Sequence, residues 1–180
     1  MHDDLFGKKY NVNTVRLEGY DYGTDGAYFI TICSHNRKQI FSTVSDGKVQ
    51  LLPIGKIIEE EIFVTSRKRD YVTIPEWIIM PDHIHILIFI HKDSDEPAHL
   101  APRGIHLHFP EGYKNQFGPQ KENIASVIRG FKSAVTTRVK IEGLGTQVWQ
   151  SLFHEHIIRN QPELENHIIY IRNNPYKWAG

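Results

Sequence analysis

Disulfides are the first thing this chain does without. It has one cysteine, Cys33, in 180 residues, so no disulfide framework is open to it and a reducing compartment fits. Cys33 stands in an apolar stretch and reads as a buried strand residue rather than a reactive thiol. No run is long and apolar enough to span a bilayer. The opening residues MHDDLFGKKY lack the apolar run of a signal peptide, so a cytoplasmic protein is expected. Excess charge is missing too: 21 basic residues balance 21 acidic ones. This argues against a protein that coats DNA by charge alone, but not against a site-specific DNA enzyme, because the sum hides the distribution. No internal repeat is present. The length allows one domain with a proper core, taken as residues 1–180, and is short for two.

What is there is patterned. AYFITICS, residues 27–34, is β-branched and aromatic and predicts a strand. Residues 53–69 place Ile54, Ile57, Ile58, Ile62 and Phe63 near helical spacing, with Pro53 in the first turn. Residues 71–80 read as a strand interrupted by Pro75, Pro81-Asp82 as a tight turn, and HIHILIFI, residues 83–90, as the return strand. Residues 92–120 are rich in Pro, Gly, Asp and His without a period and predict a long, mobile loop. Residues 122–140 put Ile124, Val127, Ile128, Phe131, Val135 and Val139 on one helical face, with Gly143 and Gly145 at the exit. Residues 147–158 read as a strand with an irregularity. Residues 162–173 read as a last helix, with Pro162 in its first turn and Pro175 just past its end. The first six elements give an α+β, ferredoxin-like split βαβ sandwich. Its antiparallel sheet carries two helices on one face and leaves the other face for the last helix.

In the 83–90 strand, alternation puts His83, His85, Leu87 and Phe89 on one face and four isoleucines on the other. The isoleucines suit burial under the two helices, so the histidines fall on the free face. Two imidazoles at i and i+2 can hold one divalent ion; two polar residues on an exposed face is the competing reading. His154 and His156 repeat the pattern, as do His106 and His108 in the long loop. On the last helix Tyr170 and Asn174 are i and i+4 and share a face. They offer a phenol nucleophile beside an amide that can complete a metal site, or a core-edge tyrosine with its hydroxyl at the rim. His167, one turn earlier, is a candidate proton carrier or a surface residue. If the last helix covers the free face, Tyr170 and Asn174 come over His83 and His85. An ion held there can stabilise charge on a phosphodiester while the tyrosine attacks phosphorus.

Four segments carry a family resemblance over most of the chain: RLEGYDYGTDGAYFITICSHNRKQIF, IIMPDHIHILI, VWQSLFHEHIIRN and HIIYIRNNPYKW. In this order the chain resembles the REP-associated tyrosine transposases, relatives of the single-tyrosine HUH transposases of insertion sequences. The resemblance implies that His83 and His85 bind Mg²⁺ or Mn²⁺, with Asn174 completing the site. It implies that Tyr170 attacks single-stranded DNA, leaving a 5′-phosphotyrosine and a free 3′ hydroxyl, on imperfect palindromes that fold into hairpins. Asp82 departs from the Asn expected before the histidines; it either sits near the metal or caps the turn, and the turn cap is the preferred reading. Arg129, Lys132, Arg138 and Lys140 form a basic run without an acid and are candidate phosphate contacts. Arg16, Arg37, Lys38 and Arg159 are further candidates. Trp149 is a core residue or a base-stacking one. A hydrolase without a covalent step, and a domesticated palindrome-binding protein that no longer cuts, are the alternatives. A homodimer in which the tyrosine helix serves the partner's histidines is also open.

Overall fold

The computed structural model describes residues 25–92 and 122–178. Most of the expected long loop, Arg16, and the pair His106 and His108 lie outside the described residues. Strands β1 (Gly26–Cys33), β4 (Val72–Ile79), β5 (His83–Ile90) and β6 (His154–Ile158) form one sheet. Their spatial order is β4-β5-β1-β6, with every neighbouring pair antiparallel. This is the expected split βαβ order, an α+β sandwich. Helices α1 (Pro53–Arg67) and α2 (Ile124–Ile141) cover one face. There Tyr28, Ile30 and Ile32 of β1 and Ile84, Ile86, Ile88 and Ile90 of β5 meet Ile57, Ile58, Ile62, Val127, Ile128 and Phe131. Each fully buried isoleucine contributes roughly 1.5–3 kcal/mol, so this layer carries most of the stability. Helix α3 (Gln161–Lys177) takes the opposite face. Leu164 and Ile171 pack there on Ala27, Leu87, Phe89 and Ile158 in a smaller cluster.

The ends of the elements have local causes. Pro53 starts α1, where its missing N–H costs nothing. Asn123 and Ser126 form a capping box at the start of α2. The helix leaves through Gly143 at φ +70, with the Gly143 amide on Lys140 O at 3.1 Å and the Leu144 amide on Val139 O at 3.0 Å. That is the left-handed exit for which glycine is suited. Pro75 falls where the β4–β5 register shifts, so its missing donor is absorbed by an irregularity in the ladder. No helix among the described residues is long and apolar enough to cross a membrane.

Four expectations need correction. A two-stranded ribbon, β2 (Ser42–Ser45) and β3 (Lys48–Leu51), precedes α1 and was not read from the sequence. At its turn Gly47 sits at φ +70 under the ring of Tyr176, at the far end of α3. The 147–158 strand shrinks to β6. Trp149 makes only an isolated bridge to Ser34, and Lys132 Nζ takes the carbonyls of Gln150 at 2.7 Å and Ser151 at 2.9 Å, which removes them from the ladder. Helix α3 continues through Pro175 to Lys177. So close to the end, proline forfeits one intrahelical bond and still packs its ring in a buried position. Phe63, grouped with the apolar positions of α1, is half exposed and meets Trp77 edge-on, while Glu61 of that helix is buried.

Candidate active site

The paired histidines begin β5 directly after a two-residue turn. The Met80 amide donates to His83 O at 2.8 Å, the Ser34 amide to Asp82 O at 2.8 Å, and the Phe41 amide to Pro81 O at 3.0 Å. The turn is thus tied on three sides before any side chain is considered. Antiparallel register then sets His83 opposite Cys33 and His85 opposite Thr31. Both rings share the face of Leu87 and Phe89, under α3, with ring centroids 4.7 Å apart.

Each ring is oriented through its Nδ1. Thr31 Oγ1 lies 2.8 Å from His85 Nδ1, and Asp82 Oδ1 lies 2.6 Å from His83 Nδ1. Asp82 therefore does not cap the turn with its side chain. One carboxylate oxygen orients His83, and the other forms an ion pair with Arg37 Nε at 3.0 Å. Arg37 in turn donates through NH1 to Cys33 Sγ at 2.8 Å. Cys33 is buried, as expected.

His85 is 5% exposed and its Nε2 has no hydrogen-bond partner. A buried polar atom left in that state costs about 1–3 kcal/mol. Burial, with smaller contributions from the neighbouring His83, His167 and Arg37, pushes the His85 pKa down to about 3. At neutral pH the ring is neutral, the form that binds metal.

Helix α3 starts at Asn160, whose side chain accepts from the Glu163 amide. It is fastened to the sheet edge by Arg172, which grips Glu76 of β4 through Nε at 3.1 Å and NH2 at 3.0 Å. Tyr170 is 40% exposed, with its ring 5.2 Å from that of His85 and 5.9 Å from that of Phe29. Lys177 Nζ sits 5.9 Å from the same ring. Asn174, one turn on, is buried. His167, one turn back, stacks on Phe29 at 4.3 Å, and burial followed by the charge of His156 holds its pKa low. Tyr170 and the histidine pair thus meet on one face, inside a single chain.

The basic run lies elsewhere. Helix α2 packs on the other side of the sheet, so Arg129, Lys132, Arg138 and Lys140 are separated from Tyr170 by the sheet itself. Lys132 is spent on the Gln150 and Ser151 carbonyls. Arg138 pairs with Glu60 at 2.6 Å and Glu61 at 3.2 Å. Arg129 and Lys140 are exposed. Lys132 and Lys140 also line a hollow of about 840 Å³ between α2 and residues 146–151, remote from the histidine pair. Trp149 is a core-edge residue, 5.0 Å from Phe41 and 6.0 Å from Phe131, with Nε1 donating to Lys132 O. Lys38 and Arg159 are exposed.

Sequence reasoning did not assign Thr31 or Arg37 to the histidine site, and it preferred a turn cap for Asp82 over a place near the metal. For Thr31 a signal existed: pairing the first strand antiparallel to the histidine strand puts a hydroxyl opposite one imidazole. Arg37 and Asp82 meet through a turn with Asn36 and Arg37 at positive φ, which no periodicity reports.

The four-stranded antiparallel sheet with its three helices has the fold of the REP-associated tyrosine transposases. A solved structure described as a REP-associated tyrosine transposase bound to a REP hairpin superposes with a TM-score of 0.57 at 23% identity. It covers 90% of this chain and 72% of that one. In sequence, the chain is 30% identical over 175 residues to an uncharacterized protein of Haemophilus influenzae, covering 94% of each. It is 35% identical over 99 residues to another protein of that organism, provisionally named a REP-associated tyrosine transposase. It spans about half the length of that named relative, 47%. No family model matches. The chain belongs to one family with the full-length Haemophilus relative, and in sequence and fold alike it is similar to the REP-associated tyrosine transposases.

Proposed function

We propose that this protein is a metal-dependent, site-specific transposase that nicks and rejoins single-stranded DNA at hairpin-forming palindromes. The observation that carries this reading is the unpartnered His85 Nε2, buried beside a half-exposed Tyr170 whose ring is 5.2 Å away. The donor set can hold a divalent ion: imidazole favours borderline metals, and the amide oxygen with water in the open positions is what admits Mn²⁺ or Mg²⁺. The set consists of two imidazoles with Nδ1 already engaged, and the Asn174 amide one turn from Tyr170. Such an ion, held by His83, His85 and Asn174, would polarise the scissile phosphate and offset its developing charge. Thr31 and Asp82 engage the Nδ1 of each ring, which leaves both Nε2 atoms as the ligand positions. Tyr170 Oη forms the bond to phosphorus, its proton is passed on, and the 3′ oxygen leaves as a hydroxyl. The DNA 5′ phosphate stays on the tyrosine, and attack by a 3′ hydroxyl reverses the step. Partial exposure of Tyr170 suits attack on a polymer that arrives from solvent.

A hairpin as substrate follows from likeness to the relative bound to a REP hairpin. Of the four basic candidates on α2, Arg129 and Lys140 retain exposed side chains for phosphates, on a surface that a long hairpin reaches only by wrapping around the sheet edge. The meeting of Tyr170 and His85 within one chain supports a site completed in cis. The test is incubation with single-stranded hairpin oligonucleotides and Mn²⁺, followed by denaturing electrophoresis. A protein–DNA adduct that survives denaturant is expected. Cleavage by a Tyr170→Phe variant would favour a hydrolase, and hairpin binding without cleavage would favour a protein that only recognises palindromes.

A further inference from the structure

A second cluster of ligating groups lies on the same face of the sheet, towards β6. His156 of β6, with Glu163 and His167 of α3, presents one ligand atom from each residue, all within 4.8 Å of one another. His156 Nε2 and Glu163 Oε1 are already 2.6 Å apart. The other carboxylate oxygen, Glu163 Oε2, accepts from the Arg159 amide at 2.6 Å, which fixes the orientation of the first. The His156 and His167 rings are 5.2 Å apart and tilted by 48°. The ring of Phe29 separates this cluster from the paired histidines, 4.3 Å from His167 on one side and 5.0 Å from His85 on the other.

We propose that His156, Glu163 and His167 form a second divalent-metal site, of a kind suited to Zn²⁺, which clamps the start of α3 to β6. Two imidazoles and one carboxylate are a common three-ligand set for zinc, with donors about 2.0–2.2 Å from the ion and water in the remaining position. None of the three residues is fully buried, so each side chain has room to rotate towards that spacing. The Arg159 amide on Glu163 is the outer support that oriented metal ligands characteristically have. This binding claim is independent of whether Tyr170 is a nucleophile. If it is, the clamp sits one helical turn before it.

The test uses the full chain, stripped of metal, carrying His83→Ala and His85→Ala to remove the other site. Titration with Co²⁺, followed by visible absorption, is expected to retain tight binding. Adding His156→Ala and His167→Ala to that protein should weaken binding by about tenfold or more. Unchanged affinity in a variant whose circular dichroism is intact overturns the proposal. Should that variant not fold, diethylpyrocarbonate labelling of the wild-type chain, mapped by mass spectrometry, decides the matter. Zn²⁺ must protect His156 and His167, and equal labelling with and without the ion overturns the site.

Discussion

The two faces of the sheet are built to opposite specifications. On the α1/α2 face, isoleucines from neighbouring strands meet isoleucine, valine and phenylalanine from two helices, and the layer is continuous. On the α3 face the apolar cluster is small, and the remaining area is given to Thr31, His83, His85, His156 and Phe29. The same strands serve both, because alternate residues belong to different layers. A protein of this size can therefore keep a buried, unsatisfied imidazole nitrogen, since the cost on one side is offset by burial on the other.

The contrast can be broken at several points. The largest expected effect is on the α3 face: Tyr170→Phe should lower adduct formation by roughly 10⁴-fold or more, leaving the urea midpoint unchanged. A variant that still forms adduct would sink the assignment. Ile58→Ala, on the other face, should cost about 2–5 kcal/mol in urea unfolding while activity per folded molecule stays at the wild-type level.

Acid should act through the α3 face. His85 is held neutral in the fold, with its pKa lowered to about 3, so between that value and its unfolded value near 6.5 the unfolded chain binds the extra proton. Stability is therefore full above about pH 6.5 and falls as pH drops, by on the order of 3 kcal/mol near pH 4 in metal-free protein. His85→Gln should flatten the curve; an equally steep curve would show that another group governs it. The lowered His167 and Glu163 act in the same direction. For His167 burial is the cause. For Glu163 burial pulls the other way and is outweighed by the Arg159 amide and His156.

Smaller effects separate orientation from structure. Asp82→Asn keeps the size of the side chain that holds His83 but loses its charge, and should weaken Mn²⁺ affinity by about tenfold with little change in stability. Calorimetry of metal binding checks it. Arg138→Ser, across the sheet, should leave hairpin binding intact and cost about 1–3 kcal/mol, because it leaves the buried Glu61 carboxylate without its ion-pair partner. Weakened DNA binding would return it to the list of phosphate contacts.

The placement of the tyrosine helix over the histidine face was legible because it follows from period and elimination. Isoleucines at alternate positions claim one face, two helices fill it, and the third helix has only the histidine face left. Partners distant in sequence were not legible. Lys132 and Arg138 read as a free basic stripe, because nothing local says that one will cap the carbonyls of residues 150 and 151, or that the other will meet Glu60 and Glu61 across a helix pair. The ribbon was readable and passed over: Asp46-Gly47 between Val44 and Val49 is a hairpin signal, but four-residue strands of mixed polarity give little alternation. The extension of α3 past Pro175 runs against local preference and is decided by packing.

The ring of Tyr176 over Gly47 gives that ribbon a purpose. A side chain at position 47 would have to displace the ring, and the positive φ there favours glycine. The helix carrying Tyr170 thus comes to rest against a stop that belongs to neither layer of the sandwich, and its bearing over the histidines is gauged from outside the sheet. An alanine placed in the ribbon turn would be felt as a rotation of a distant phenol, a fault in aim rather than in strength.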